Sequence, residues 1–184
     1  MRKVLLGTLG FAGVVLAHPG HLHAGGNAFS SGFLHPMLGI DHLAVAVAVG
    51  LWGAYALGGR AFLPVLTFLS SMLLGSLLGI GGFGFPLAEL GVALSVIAMG
   101  TLLLKGEVAL RWVLPVIALS GLVHGNLHGL EMPGTLSPFA YMMGFLSSTS
   151  LLHLSGMLAG SLIRERLTKL AGALMLVLGV FLVW

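Results

Sequence analysis

The sequence predicts an all-α polytopic membrane protein: six transmembrane helices behind a cleavable N-terminal signal peptide, with both termini outside. Two observations predict this. Hydrophobic residues make up 58% of the 184-residue chain and charged residues 7%, against the roughly one quarter charged that a soluble domain carries. The apolar residues also fall into long runs separated by short connections. These runs lack the period-two alternation of a membrane β-barrel.

The elements follow in order. Arg2 and Lys3 precede a short apolar stretch that ends in small residues, with Val15 and Ala17 before His18. This is the layout of a secretory signal, so residues 1–17 are expected to be removed. Residues 18–32 then form an external tail in which His18, His21 and His23 cluster within HPGHLH. Pro19 has no N–H to become a deprotonated amide ligand, so the tail favours imidazole ligation of Ni, Cu or Zn. The six-helix domain occupies residues 33–184. Its expected spans are Phe33–Leu57, Ala61–Gly79, Phe85–Leu104, Arg111–His128, Pro138–Ile163 and Leu167–Trp184. Each is long enough, at about 1.5 Å per residue, to cross a core of about 30 Å, the shortest only just. Gly75 with Gly79, and Gly156 with Gly160, carry the small-residue spacing that lets helix backbones approach.

Charge sets the expected orientation. Arg60, then Lys105 and Arg111, then Arg164, Arg166 and Lys169 occupy alternate connections, while residues 18–32, 80–84 and 129–137 contain no Lys or Arg. The positive-inside rule puts the basic connections in the cytoplasm and both termini in the periplasm of a bacterial inner membrane. The scattered basic residues form no stripe for nucleic acid, and no phosphate-binding GxxxxGK[ST] loop is present. The absence of cysteine excludes disulfides and thiolate metal sites.

Eight histidines against five acidic residues is the unusual ratio. HPMLGIDH, residues 35–42, opens the first span, and HGNLHGLE, residues 124–131, closes the fourth. His35 and His42 are seven apart and share a helix face, whereas Asp41 points about 100° away from His42. His124, His128 and Glu131 share another face. Asp41, His42 and His124 are all expected about 10 Å below the outer ends of their spans. Two helices thereby present imidazoles and carboxylates to one chamber. Buried charge must be paired or bound to metal, and no Lys or Arg stands in the outer halves of the spans to pair with Asp41. Nitrogen and oxygen donors without sulfur suit Ni, Co, Zn or Mn, while leaving open which residues bind the ion directly and which orient others. Glu89 either joins the cluster or faces headgroups. His153 lies about 22 Å down the fifth span. It follows Ser147, Ser148, Thr149 and Ser150, which either line an exit route or satisfy the helix backbone. Asn126 has the same two readings. Met142, Met143 and Met157 are expected to serve packing.

HPGH in the tail, HPMLGIDH and HGNLHGLE together resemble the HupE/UreJ family of bacterial membrane proteins, and the resemblance spans essentially the whole chain. It implies a nickel, sometimes cobalt, permease that supplies hydrogenase or urease maturation. His35, Asp41 and His42 correspond to the family's first motif, and His124, His128 and Glu131 to its second. A larger nickel/cobalt permease family carries HxxxxDH, but five residues separate His35 from Asp41 here. The expected function is import of a divalent metal, nickel first and cobalt or zinc after it, with no prosthetic group and no enzymatic activity. The metal ligands are drawn from His18, His21, His23, His35, Asp41, His42, His124, His128, Glu131 and His153. A metal-binding assembly factor and a membrane metalloenzyme are the competing functions.

Overall fold

The computed structural model describes residues 27–184. The expected signal peptide lies outside them, as do His18, His21 and His23 of the expected tail. Among the described residues the helices are α1 (Ala28–Leu38), α2 (Ile40–Leu57), α3 (Phe62–Ile80), α4 (Ala88–Lys105), α5 (Leu110–Leu130), α6 (Pro138–Leu162) and α7 (Glu165–Val183). A 3-10 turn at Gly58–Arg60 follows α2.

Among the described residues five helical segments, not six, are long and apolar enough to cross a membrane: Ile40–Arg60, Phe62–Ile80, Ala88–Lys105, Leu110–Leu130 and Glu165–Val183. The expected span that drops out is α6. Its 25 residues suffice in length, but Ser147, Ser148, Thr149, Ser150, His153, Ser155 and Ser161 dilute its apolar character. The expected count of six strongly apolar spans, and the placement of both termini outside that rested on it, are therefore not supported. The expected first span is also divided. Pro36 near the end of α1 removes one helical N–H. Gly39 then leaves the helix with φ −88° and ψ 115°, and α2 starts afresh at Ile40.

Short connections do not decide which helices pack most closely. The most extensive contacts join α3 to α5, α2 to α6, α4 to α7 and α1 to α6. Glycine seams make these contacts possible. A Cβ at Gly75 or Gly79 of α3 would strike the backbone of α5 at Leu122 or Asn126, and one at Gly125 or Gly129 of α5 would strike α3 at Met72 or Ser76. On the α2–α6 seam, Gly50 lies against the His153 backbone while Gly156 and Gly160 lie against Val47 and Leu51. The close approaches expected at Gly75/Gly79 and Gly156/Gly160 are both present. Gly32 of α1 meets Tyr141 of α6, and Gly100 of α4 meets Gly172 of α7. Leucines such as Leu66, Leu74, Leu77, Leu158 and Leu174 stay exposed on the outside of the bundle, as a hydrocarbon environment allows.

The described basic residues Arg60, Lys105, Arg111, Arg164, Arg166 and Lys169 all lie at or beside one set of helix ends: the end of α2, the end of α4, the start of α5 and the start of α7. The start of α2 and the end of α5, which carry the histidine motifs, belong to the opposite end of the bundle.

Candidate metal centre

Asp41 and His42 stand in the first turn of α2, where backbone N–H groups lack intrahelical acceptors. Asp41 uses one carboxylate oxygen twice. Its Oδ1 accepts the backbone N–H of His42 at 2.7 Å and the ring Nδ1–H of His42 at 2.7 Å. The divergence expected of adjacent helical side chains is overcome because the carboxylate folds back over the helix start. Gly39 makes room for this, since a Cβ there would lie 2.9 Å from Asp41 Oδ1 and 3.0 Å from His42 Nδ1. Asp41 is only 3% exposed, and these two donors offset its burial without a Lys or Arg.

α5 supplies the facing side. Gly121, Gly125 and Gly129 lie against α3, while His124 and His128, both buried, bring their rings to those of α1 and α2. Glu131 caps the C-terminal end of α5, where the helix dipole disfavours a carboxylate. It accepts a 2.9 Å hydrogen bond from His35 Nε2, with both side chains about one-third exposed. His35, His128 and Glu131 each offer a ligand atom within 4.8 Å of the others. Donors on one first-row ion at about 2.1 Å lie at most about 4 Å apart; the His35–Glu131 pair, at 2.9 Å, already meets that.

The rings form a continuous series from this rim inward. His35 and His128 are 4.8 Å apart between centroids, His128 and His42 4.6 Å, and His42 and His124 4.7 Å. Phe68 then lies 5.6 Å from His124 and 5.1 Å from His153. The two sequence motifs therefore meet as expected, and His153 joins the same series one aromatic ring further in.

The family described as HupE / UreJ protein matches residues 6–182, nearly the whole chain. The chain belongs to the HupE/UreJ family. Protein HupE of Rhizobium leguminosarum bv. viciae is 38% identical over 160 residues, covering 85% of this chain and 81% of that protein. No solved structure matches the chain significantly. Membership makes this a multi-pass, metal-handling membrane protein of a permease-like family rather than an enzyme.

Three histidines of this HupE/UreJ protein have one ring nitrogen held against an oxygen. His42 Nδ1 faces the Asp41 carboxylate, His124 Nδ1 faces Ser120 O at 2.8 Å, and His153 Nδ1 faces Ala46 O at 2.6 Å. Each of these oxygens can only accept, so each Nδ1 carries a proton, and in the neutral form of each ring the lone pair is on Nε2. The Nε2 atoms of His42, His124 and His153 are buried without a hydrogen-bond partner among the described residues. Locking one ring nitrogen by an acceptor while the other is offered to a metal is the usual arrangement of metal-binding histidine. This donor set fits a borderline divalent cation. The choice left open for Asp41 narrows accordingly: the oxygen that faces His42 orients that ring.

Several other sequence readings resolve. Glu89 is exposed in the first turn of α4 and lies outside the cluster. Asn126 is a structural tie: its Oδ1 accepts Phe85 N–H at 2.9 Å and its Nδ2 donates to Phe83 O at 2.7 Å, pinning the loop between α3 and α4. Ser147, Ser148 and Ser150 donate to carbonyls of their own helix, so they satisfy backbone. Met142 and Met157 pack against the apolar core and Met143 is exposed. Sequence reasoning missed Phe68, Tyr141 and Phe145. Their signal was present in part: Tyr141, Phe145, Thr149 and His153 recur every four residues, which places them along one face of α6.

Proposed function

We propose that this protein is a bacterial inner-membrane permease that imports a divalent transition metal, nickel first and cobalt or zinc after it. The cation arrives at His35, His128 and Glu131, exchanges water for the Nε2 atoms of His42 and His124, and continues inward to His153. The tail histidines His18, His21 and His23 collect the ion before it reaches the rim. The observation that carries the proposal is the series of imidazoles contributed by α1, α2, α5 and α6, three of which hold buried, unpartnered Nε2 atoms. A purely structural network would consume those atoms in helix-to-helix hydrogen bonds.

The driving force is adequate without nucleotide. A divalent ion moving inward gains about 4.6 kcal/mol per 100 mV, at about 2.3 kcal/mol per charge. Delivery of the imported metal to hydrogenase or urease maturation is the partner-level part of the proposal. One observation favours a second reading, a metal-holding assembly factor: the His35–Glu131 pair is partly exposed at the rim, where a partner protein can reach it.

Radiolabelled nickel uptake into proteoliposomes containing only this protein, under a negative-inside potential, tests the proposal. Uptake by the intact chain, lost in Asp41→Ala and His124→Ala variants that remain folded, is expected. A folded intact chain that binds nickel, cobalt and zinc but moves none of them would favour the assembly factor.

A further inference from the structure

Among the described residues one buried Ser or Thr hydroxyl differs from the rest; the phenol of Tyr141 is also buried without a partner. The hydroxyls of Ser76, Ser95, Ser120, Ser148 and Thr168 are all in buried residues, and each donates to a carbonyl about one turn back in its own helix. This is the ordinary refuge of Ser and Thr inside an apolar helix. Thr149 is equally buried, at 2% exposure, yet its Oγ1 has no hydrogen-bond partner among the described residues. Four residues later on α6 stands His153, 0% exposed, with Nδ1 tied to Ala46 O and Nε2 unpartnered among the described residues. Side chains four apart on a helix are neighbours. An oxygen and a nitrogen donor, both shielded from solvent and both unused by the protein, therefore stand together on one helix face.

We propose that Thr149 and His153 form a second, inner cation station, distinct from the rim cluster. The ligand class is the cargo itself, a partly hydrated divalent transition-metal ion. Phe68 packs against both His124 and His153, with ring centroids 5.6 and 5.1 Å away, so an apolar ring adjoins both groups of donors. The stations differ in charge. The outer group includes two carboxylates, Asp41 and Glu131, whereas the inner pair brings a neutral imidazole and a hydroxyl. A neutral site holds a divalent ion more weakly, and conduction requires sites that release what they bind. The polar composition that removes α6 from the strongly apolar helices thus has a use at Thr149 and His153. The direction of travel rests on the permease reading; the binding of metal at the inner pair does not.

The test is a cobalt(II) titration of the full chain in detergent, followed by visible absorption. Two binding phases are expected. His153→Gln removes the weaker phase, Thr149→Val weakens it at least tenfold, Thr149→Ser restores it, and all three keep the tighter phase. A merely structural threonine is distinguished by metal-free melting: because the hydroxyl has no partner, Thr149→Val melts no lower than the parent without metal. Should His153→Gln fail to fold, the Thr149 pair decides. A single phase in the intact chain, abolished by Glu131→Gln, overturns the proposal, as does a second phase indifferent to both Thr149→Val and His153→Gln. Zero uptake into proteoliposomes with both phases intact defeats the permease reading and leaves the inner station standing.

Discussion

Replacing Asp41 by asparagine isolates one contribution to metal binding. Both contacts of Asp41 use Oδ1, at 2.7 Å to the His42 backbone N–H and 2.7 Å to its ring Nδ1. The amide oxygen of Asn can accept both, so the geometry and tautomer of His42 persist while the negative charge disappears. A charge-assisted hydrogen bond is worth roughly twice a neutral one, and loss of an orienting partner behind a metal-binding histidine typically costs 10–100-fold in affinity, about 1.4–2.7 kcal/mol. Isothermal titration of nickel into the detergent-solubilised chain should show a Kd weakened within that range in Asp41→Asn. Asp41→Ala should lose more, because the ring is then free to rotate and the His42 N–H loses its side-chain acceptor. Identical affinity in Asp41→Asn and the parent would refute the idea that the negative charge of Asp41 strengthens metal binding at His42. Equal losses in the Asn and Ala variants would show that charge alone, and not orientation, is at work.

Other outcomes follow from the same geometry. Gly125→Leu places a side chain into the Met72 backbone, so the seam between α3 and α5 must open. We expect a loss of roughly 1–3 kcal/mol or more, read as a lowered Tm, while Gly134→Ala, with open space around it, stays within about 0.5 kcal/mol of the parent. Asn126→Leu releases the loop held through Phe83 and Phe85. Two lost hydrogen bonds at about 1 kcal/mol each predict faster amide exchange at Phe85 and a lower Tm, and unchanged exchange would refute the tie. Replacing His18, His21 and His23 together by Ala should raise the KM for nickel uptake without lowering the maximal rate, since a collecting tail acts before the ion is committed.

HPMLGIDH and HGNLHGLE were legible because polar residues are costly inside an apolar run, and helical spacing brings their side chains to common faces. Their meeting followed from equal depth, and it holds despite a wrong boundary: the break at Gly39 divides the expected first span but keeps the His35 and His42 rings 6.5 Å apart. The contact between Asp41 and His42 was not legible, because period arguments assume a continuous helix and this pair sits at a helix start. The count of spans failed at α6 for a related reason. Its length satisfied the pattern, while its hydroxyls lowered its apolarity below that of the other spans. The seams at Gly75/Gly79 and Gly156/Gly160 could be read from spacing, but which helices they join could not, since a glycine pair names no partner. Phe68 illustrates the remaining limit. One aromatic among the apolar residues of α3 carries no local mark, and its contact with both His124 and His153 exists only in three dimensions.

The division of carboxylates between rim and interior leads to a final prediction. If the proposed inner pair works because it binds weakly, then strengthening it must impair transport. Thr149→Asp adds a carboxylate of nearly the same size beside His153 and copies the charge of the outer group. A buried unpaired carboxylate is costly in the metal-free chain, so this variant should melt lower than the parent without metal and regain more stability when cobalt or nickel is added. Metal affinity should rise by a factor of ten or more, about 1.4 kcal/mol, while the rate of uptake falls, because the ion must now leave a charged site. The opposed signs make the test demanding. A general packing defect lowers binding and transport together, and a variant that bound more tightly and also transported faster would show that entry of the ion, rather than its release from the interior, limits the rate.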